Sequence, residues 1–432
     1  MGRDQLSAAL GGGMPAEKQA ARRAVVAAIV GNVLEWYDFA VYAYMARLVA
    51  KNFFPAGDEV TSLLSTFAAF GVGFVMRPLG GILIGRLGDV KGRKAALVVT
   101  IGLMAVGTVM IGLTPSYAAI GVAAPLLVVV ARLIQGFSAG GEWGTSTAFI
   151  VEWAPERRRG LLGSLQQCSV AGGLLLGSSV AAAVSMLLPA ETVEGWAWRI
   201  PFLVGGLLGP VGWYLRRHID ETPAFRAATQ SDASLQRARP VVLAARAFGF
   251  TVVWTVAYYL VLVYMPTFTQ AHAGLTRTDA LWATSAGLLV VVIVTPFAGA
   301  VSDRIGRKPL LVAACVSLIL LPYPLFALML SGANFAVVVA AQAVFAIAIS
   351  LFSGPGPAAI AEIFPTAVRS TWLSSAYSLA VAIFGGFAPF IATWLIAATG
   401  SPLSPVYYLI AAGVVSLGVI VHLEETAAKP LR

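Results

Sequence analysis

Charged residues are scarce in this sequence: 11% of its 432 residues are Asp, Glu, Lys or Arg, whereas 58% are hydrophobic. Soluble domains carry about 25% charged residues, and the mean hydropathy here is +0.83. The deficit of charge therefore excludes a soluble globular protein. It predicts an integral membrane protein whose main surroundings are the lipid bilayer.

Cysteine and histidine are also rare, which excludes further classes of protein. The two cysteines, Cys168 and Cys315, lie in separate apolar runs, so a disulfide framework is not indicated. The three histidines are scattered at His218, His272 and His422 and predict no metal site. The sequence also lacks a hydrolytic triad and a phosphate-binding loop. We therefore expect neither an enzyme nor a bound cofactor.

Positive charge exceeds negative charge, but its distribution is that of a membrane protein. The formal net charge of +9 could suggest a nucleic-acid partner, yet the basic residues fall in loops between apolar runs. Arg22 and Arg23 precede a first apolar run that is too long for the core of a signal peptide. We therefore predict an uncleaved first helix and no nucleic-acid binding.

About twelve apolar runs are long enough to cross a bilayer, which takes about 20 residues each. Numbered in chain order, predicted spans 1 to 6 are residues 24–50, 60–85, 95–113, 119–142, 160–188 and 197–216. Predicted spans 7 to 12 are residues 241–270, 279–301, 309–331, 334–361, 370–397 and 403–422. The resulting division is a cytoplasmic tail (1–23), a first half (24–216), a cytoplasmic linker (217–240) and a second half (241–425).

Lysine and arginine alternate between loops and so predict the orientation. Every second loop is basic, from Arg93 and Lys94 to Arg307 and Lys308. The loops between them offer only three basic residues: Lys51, Arg199 and Arg277. Because basic loops stay on the cytoplasmic side, both termini are predicted to be cytoplasmic. This requires an even number of spans, and twelve fits.

An internal repeat relates the two halves. The motif Gly85-x3-Asp89-x2-Gly92-Arg93-Lys94 recurs at the same spacing as Gly299-x3-Asp303-x2-Gly306-Arg307-Lys308. A second motif follows each copy, as Glu152-x2-Pro155-x3-Arg159 and Glu362-x2-Pro365-x3-Arg369. Two motifs that recur in order indicate a duplicated unit. Parallel six-helix repeats place a substrate site at their interface, near the membrane midplane.

The repeated loops resemble the loop signature of the major facilitator superfamily of transporters. The pattern Arg132-x2-Gln135-Gly136-x3-Gly140-Gly141 is similar to the helix-four motif of that superfamily. Four segments resemble, more narrowly, the metabolite:proton symporter family of this superfamily: GNVLEWYDF (31–39), FVMRPLGG (74–81), RLIQGFSAGGEWG (132–144) and WAWRIPF (196–202). The resemblance covers residues 24–425. It implies an all-α membrane fold of twelve transmembrane helices in two pseudo-symmetric six-helix halves.

The loop motifs predict a latch at the cytoplasmic ends of the helices. Asp89 and Asp303 can pair with arginines or with helix N-termini, and the basic residues can reach the acidic residues of the second motif. Seven residues are assigned to this cytoplasmic gate: Asp89, Arg93, Glu152, Asp303, Arg307, Glu362 and Arg369. The alternative is a cluster that only sets topology. The resemblance implies a latch that stabilises the outward-facing state.

Two carboxylates, Glu35 and Asp38, lie inside the first apolar run. They are one helical turn apart and share a face, and a carboxylate in hydrocarbon is a functional candidate by default. At about 1.5 Å per residue, Asp38 lies about 21 Å into span 1. Arg132 lies about 18 Å into span 4 by the same measure. Both depths fall in the middle third of a core about 30 Å thick.

Asp38 and Arg132 also resemble the Asp–Arg pair of proton-coupled sugar carriers. We predict that Arg132 keeps Asp38 ionised, and that a substrate anion draws Arg132 away so that Asp38 takes a proton. Glu35 would titrate together with Asp38. The alternative is a static ion pair that joins spans 1 and 4.

Three arginines are candidates for binding a carboxylate, because arginine donates two parallel hydrogen bonds to it. They are Arg77, Arg132 and Arg47. Arg77 and Arg47 could instead extend their head groups to the membrane interface.

Other polar and aromatic residues complete the predicted site. Gln166, Tyr259 and Tyr377 are assigned to the walls of the substrate cavity, with ordinary helix packing as the alternative for the tyrosines. Glu142 stands at the predicted cytoplasmic end of span 4 and is assigned to the loop network.

We predict a proton-coupled symporter that takes up a small organic acid anion, such as citrate or a dicarboxylate, by alternating access. The proton is the coupling ion, and no other cofactor is expected. The resemblance is closest to citrate and α-ketoglutarate carriers and implies the bacterial inner membrane; we expect a monomer. The alternatives are a carrier for proline or betaine, a carrier for an aromatic acid such as shikimate, and an efflux antiporter.

Overall fold

The structure is a computed structural model, and it describes residues 15–91, 93–140, 142–217, 240–332, 334–364 and 369–429. These ranges contain helices, turns and loops but no strand. Within hydrocarbon, a helix satisfies its backbone N–H and C=O groups internally, so the long apolar runs fold as helices.

The first half follows the predicted order. Its spans are formed by Pro15–Tyr44 and Ala46–Phe53 (span 1), Glu59–Val75 and Arg77–Lys91 (span 2), Arg93–Leu113 (span 3), Ala123–Ala139 and Glu142–Trp153 (span 4), Arg159–Leu187 (span 5) and Ile200–Arg217 (span 6). Short connecting elements are Tyr117–Ile120, Glu156–Arg158, Ala190–Gly195 and Ala197–Arg199.

The second half repeats this arrangement. Its spans are formed by Pro240–Ala257, Tyr258–Val263 and Met265–His272 (span 7), Arg277–Ile305 (span 8), Arg307–Leu320 and Pro322–Leu330 (span 9), Phe335–Ser353 and Gly356–Glu362 (span 10), Arg369–Ala380, Val381–Gly385 and Ala388–Thr399 (span 11) and Ser404–Ile420 (span 12). The predicted boundaries agree with these helices to within a few residues, except for spans 1 and 4 and the cytoplasmic end of span 2.

Within the described ranges, seven helices are long and apolar enough to cross a membrane on their own. An eighth is obtained if Arg307–Leu320 and Pro322–Leu330, which are bent by 41°, count as one span. Val98–Leu113 and Ser404–Ile420 are shorter apolar helices and correspond to spans 3 and 12. With spans 1 and 6, the helices are consistent with the predicted twelve.

Span 4 is longer than predicted. The structure describes helix over Ala123–Ala139 and again over Glu142–Trp153. Glu142 therefore lies inside span 4 rather than at its end.

Spans 2 and 4 pack backbone against backbone. A Cβ atom on Gly136 would lie 1.5 Å from the carbonyl oxygen of Gly73, and one on Gly140 would lie 1.9 Å from that of Arg77. Glycine is required at such positions because any side chain would force the helices apart. The contact fixes the depth in the membrane at which the side chain of Arg77 projects from span 2.

Two spans of the second half contain π-helical turns, Tyr258–Val263 in span 7 and Val381–Gly385 in span 11. Such turns are rare and frequently mark functional sites. The two turns touch, because a Cβ on Gly385 would lie 2.8 Å from the ring of Tyr259. They therefore shape one region between the halves.

Substituting Gly136 tests the backbone contact. Gly136→Ala should lower the free energy of unfolding by about 1–3 kcal/mol, the usual cost of overpacking, because the new methyl group meets the Gly73 carbonyl. Gly102→Ala is the matched control, since a Cβ there meets nothing within 4 Å and alanine favours a helix by about 0.5–1 kcal/mol. Thermal unfolding midpoints in detergent measure both. Equal midpoints for the two variants would contradict the contact.

Candidate functional site

Arg132 of span 4 is fully buried and lies among aromatic rings. Its guanidinium carbon is 4.9, 4.7 and 4.7 Å from the ring centres of Phe39, Tyr42 and Phe70. Its Nη1 donates to Gln135 Oε1 at 2.7 Å, while Nε and Nη2 have no hydrogen-bond partner among the described residues. The ring faces stabilise the cation and hold it in place.

Asp38 does not form the predicted ion pair with Arg132. Neither Asp38 oxygen lies within salt-bridge distance of Arg132. The two side chains are still close enough for their charges to interact. Gln135 and Thr108 lie between them: Gln135 Nε2 donates to Thr108 Oγ1 at 2.8 Å, and the Thr108 hydroxyl faces the Asp38 carboxylate. Hydrogen bonds thus connect Arg132 through Gln135 to Thr108, which lies beside Asp38 and donates to the Met104 carbonyl at 3.1 Å.

A narrow cleft within the first half extends from Asp38. We call it the four-helix cleft, because spans 1, 3, 4 and 6 line it. Three carboxyl groups and two hydroxyl groups belong to its lining: Glu35, Asp38, Glu142, Thr100 and Ser138. Thr100 Oγ1 lies 3.4 Å from Glu142 Oε2. The structure thus brings Glu35 and Asp38 together as predicted and adds Glu142.

Arg77 of span 2 lies closer to the boundary between the halves. It is 1% exposed, and its guanidinium carbon is 5.7 Å from the Trp36 ring centre and 5.1 Å from that of Phe74. Its positive charge interacts electrostatically with Tyr259 and Tyr377 of the second half. Among the described residues, Nε and Nη1 of Arg77 have no hydrogen-bond partner. Arg77 is therefore buried rather than extended to the interface.

A small aromatic cavity lies where the two halves meet. Its lining is Trp36, Gln167, Val170, Trp254, Thr255, Tyr258, Tyr259 and Tyr377. The Trp143 ring extends this aromatic wall, since it stacks on Tyr377 with centres 3.5 Å apart and an angle of 5°. The hydroxyl oxygens of Tyr258 and Tyr259 have no hydrogen-bond partner among the described residues.

The prediction located only part of this cavity. Tyr259 and Tyr377 line it, but the lining glutamine is Gln167, whereas Gln166 is buried beside it with its Nε2 unpartnered among the described residues. Trp36 was missed, although the sequence EWYD places it next to Glu35. A tryptophan one residue from a buried carboxylate was the available signal.

The residues predicted to form the cytoplasmic gate join the two halves through Asp303 of span 8. Asp303 accepts hydrogen bonds from the backbone N–H groups of Gly160 and Leu161, at 2.8 and 2.9 Å, and so caps the start of span 5. It also accepts from Arg307 Nη1 at 2.6 Å. Glu362 lies 3.7 Å from Arg307 Nη2, so these predicted gate residues form one network.

Arginine side chains complete the gate. Arg159 Nη1 lies 3.9 Å from Glu362 Oε1 and links the halves a second time. Arg369 donates from Nε to the carbonyl of Ala361 at 2.9 Å and from Nη2 to that of Phe364 at 3.0 Å, which ties the start of span 11 to the end of span 10. The side chains of three other predicted gate residues lie outside the described part of the structure: Asp89, Arg93 and Glu152.

The segment after span 12 contacts the gate, which the sequence did not predict. Glu425 accepts from the backbone N–H groups of Arg307 and Lys308, at 2.9 Å each. Burial raises the pKa of Glu425, but these N–H donors outweigh it and hold the pKa below its ordinary value. The Thr426 hydroxyl donates to Glu362, so the segment braces the cytoplasmic network.

The outer ends of the halves are joined as well. Glu194 lies 2.8 Å from Lys51 Nζ and 3.8 Å from Arg277 Nη2, and the hydrogen bond from Lys51 lowers the pKa of Glu194. Arg47 pairs with Glu59 in the same outer region. The structure thus places Arg47 away from the central arginines, and we remove it from the substrate-binding set. Contacts between described residues therefore join the two halves both at the predicted cytoplasmic ends and at the outer ends of the spans.

In the described residues, no group of three or more His, Cys, Asp or Glu side chains could hold a metal ion. The two described cysteines are unpaired.

Two family descriptions match the chain. "Sugar (and other) transporter" matches residues 24–248, and "Major Facilitator Superfamily" matches residues 270–431. Among similar proteins are the glycine betaine/proline/ectoine/pipecolic acid transporter OusA of Dickeya dadantii and the proline/betaine transporter of Escherichia coli. They are 35% and 34% identical over 426 residues, which are 95% of this chain and 85% of each relative.

The citrate-proton symporter of Klebsiella pneumoniae is 36% identical over 415 residues, covering 95% of this chain and 93% of the relative. A solved structure of the proton:xylose symporter XylE matches with a TM-score of 0.79 at 18% identity, covering 96% of this chain and 98% of that one. At this identity the structural match establishes the fold. The chain belongs to the major facilitator superfamily. It is a secondary transporter of all-α fold and not an enzyme.

Substituting Asp303 tests the gate. Asp303→Asn should slow uptake about tenfold or more, because charge-assisted hydrogen bonds contribute about 1.5–3 kcal/mol each and their loss favours the cytoplasm-open state. The initial rate of uptake in proteoliposomes, normalised to protein content, measures the effect. Asp279→Asn at the outer start of the same span is the control, since among the described residues the Asp279 carboxylate hydrogen-bonds only to the exposed Thr276. Unchanged uptake by Asp303→Asn would refute the gate.

Proposed function

We propose that the chain takes up a small carboxylate-bearing solute together with a proton, by alternating access, as a monomer in the bacterial inner membrane. The proposal includes the predicted division into a tail (1–23), two halves (24–216 and 241–425) and a linker (217–240). Relatives described as proline/betaine transporters and as a citrate-proton symporter support this class of function. Beyond the proton, the proposal involves no cofactor.

The observation that carries the proposal is that Arg77 is buried while two of its nitrogens lack hydrogen-bond partners in the described part of the chain. A guanidinium removed from water is costly unless its N–H groups are paired, and Nε and Nη1 of Arg77 have no partner among the described residues. A carboxylate accepts two parallel hydrogen bonds from such a fork. Because Arg77 adjoins Trp36 and the tyrosines of the aromatic cavity, a solute in that cavity could present its carboxylate to Arg77.

The buried charged residues Arg77, Arg132, Asp38 and Glu35, which we call the central layer, favour a solute with one free carboxylate. Arg77 and Arg132 contribute two positive charges, and ionised Asp38 and Glu35 contribute two negative charges. A proton on Asp38 leaves one positive charge, which one carboxylate neutralises. A trianion would leave negative charge buried, which is strongly unfavourable. Within the organic acids, the layer therefore favours a monocarboxylate over citrate.

A second candidate is a zwitterion such as betaine or proline, which the aromatic cavity favours. Ring faces attract quaternary ammonium groups by cation–π interactions, and Trp36, Trp254, Tyr258 and Tyr259 all line the cavity. In this case the carboxylate would bind Arg77 and the ammonium group would lie among the rings. An aromatic acid such as shikimate would use the same arginine.

Coupling follows from the link between Asp38 and Arg132. The Thr108 hydroxyl has one hydrogen to donate, and both the Asp38 carboxylate and the Met104 carbonyl face it. When Asp38 is ionised, Thr108 donates to it; when Asp38 is protonated, Thr108 is free to donate to Met104 at 3.1 Å. The change reaches Arg132 through Gln135, so proton binding and the charge that faces the substrate are coupled.

Substituting Arg77 tests substrate binding. Arg77→Lys keeps the charge but removes the fork, and the Michaelis constant for the solute should rise about ten- to hundredfold, since hydrogen bonds to charged groups contribute about 1.5–3 kcal/mol. Arg47→Lys is the matched control and should leave transport unchanged. Counterflow in proteoliposomes, with citrate, α-ketoglutarate, succinate, shikimate, proline and betaine, identifies the solute. A normal Michaelis constant in Arg77→Lys would remove Arg77 from the site.

Substituting Asp38 tests coupling. Asp38→Asn should abolish accumulation driven by an inwardly directed proton gradient, because the side chain can no longer take a proton, while counterflow persists. Asp58→Asn is the control: Asp58 caps span 2 at the outer surface, and asparagine caps helices equally well. Accumulation by Asp38→Asn would show that another group couples transport. Expulsion of solute by the native protein under the same gradient would indicate an antiporter.

A further inference from the structure

We propose that the four-helix cleft is the proton's route between Asp38 and the cytoplasmic side, with Glu142 as the intermediate proton acceptor. This inference rests on the proposed role of Asp38 in coupling. It assigns the proton a path inside the first half, whereas the solute uses the aromatic cavity between the halves.

Span 1 separates the two paths by presenting different faces to them. Gly31, Leu34, Glu35 and Asp38 line the cleft, and their spacing of three and four residues places them along one helical stripe. Trp36 lies off this stripe and lines the aromatic cavity. The two cavities share no lining residue, so a proton leaving Asp38 need not pass the solute.

Asp38 provides an unsatisfied group at the deep end of the cleft. The residue is 5% exposed, and its Oδ1 has no hydrogen-bond partner among the described residues. A Cβ on Gly205 would lie 2.3 Å from this oxygen, so a glycine in span 6 is needed to leave room for the oxygen at the end of the cleft. Such an oxygen can receive or release a proton without breaking an existing hydrogen bond.

The cleft runs from this oxygen toward the end that the loop charges predict to be cytoplasmic. Gly31 precedes Asp38 by two helical turns, or about 10 Å, on the side where span 1 begins. Glu142 follows Arg132 by ten residues on the descending span 4. Thr100 lies near the cytoplasmic start of span 3. Hydroxyl and carboxyl groups therefore line the cleft along this direction.

The groups around Asp38 suit proton transfer. Among the described residues, Arg132 of span 4 and Tyr37 and Glu35 of span 1 are the ionisable groups beside Asp38. Spans 3 and 6 add only apolar residues, glycines and Thr100 to the lining. Arg132 is thus the only described cation at the deep end, and it favours the ionised form of Asp38 after release.

The transfer itself breaks one O–H bond and forms another. Protonated Asp38 gives its proton to the Glu142 carboxylate, directly or through cleft water; Asp38 becomes a carboxylate and Glu142 a carboxylic acid. Glu142 then releases the proton to cytoplasmic water. No electron transfer is involved, and one proton is delivered per cycle through this route.

Substituting Glu142 tests the intermediate acceptor. Proteoliposomes that contain a trapped pH-sensitive dye report solute-driven acidification of the lumen. Glu142→Gln should slow this acidification about tenfold or more, since a positioned acid or base contributes at least that much. Counterflow, which needs no proton release, should persist and shows that the protein is folded. Glu142→Asp should restore much of the acidification.

Filling the cleft tests the path without changing an ionisable group. Ala105 lines the cleft from span 3, so Ala105→Leu should slow acidification while counterflow continues. The control is Val106→Phe on the same helix, because Val106 is 57% exposed on the outer surface of the bundle. Val106→Phe should acidify at the native rate.

The outcomes separate this inference from the proposed function. If Asp38→Asn retains gradient-driven accumulation, another group couples transport; proton-coupled uptake stands, but the coupling role of Asp38 and the route that starts from it both fail. If Asp38→Asn loses accumulation while Glu142→Gln and Ala105→Leu acidify at the native rate, the coupling role stands and the cleft is not the route. Slow acidification by both cleft variants, with the control unaffected, supports the route.

Discussion

The backbone contact between spans 2 and 4 is the constraint on which the central layer depends. The carbonyl of Arg77 lies against Gly140, and that of Arg132 lies 2.8 Å from where a Cβ on Gly73 would be. Both arginines therefore begin at a helix–helix contact that tolerates no side chain. Because their backbones cannot shift outward, their guanidinium groups stay in the protein core, and the surrounding residues must accommodate two cations.

The protein accommodates these cations mostly with aromatic rings rather than with direct ion pairs. Cation–π contacts contribute about 0.5–2 kcal/mol each, and rings approach both Arg77 and Arg132. Ring faces stabilise charge without occupying the N–H groups, so several of these donors have no partner in the described part of the chain. The layer is stable enough to fold and still able to bind an anion.

Hydropathy and loop charge predicted the spans and the fold class, because lipid imposes length and polarity directly on the sequence. Depth along a helix placed Asp38 and Arg132 in one layer, but depth gives no rotation about the helix axis, so their separation by Thr108 and Gln135 was not foreseeable. The end of span 4 was predicted too early, because Glu142 lowers the local hydropathy although the helix continues to Trp153. The tryptophans of the aromatic cavity were missed because tryptophans in apolar runs usually indicate packing alone.

Because spans 7 and 11 contain π-helical turns, the shape of the aromatic cavity depends on the exact number of residues in these helices. Each turn accommodates a wider backbone ring within an otherwise α-helical span. Deleting a single residue there would replace the wide turn with an ordinary α-helical one and close the local widening of the backbone. Tyr259 and Gly385 would then no longer meet. Homologous chains that preserve this cavity should therefore vary in side chains along these spans while resisting insertions and deletions.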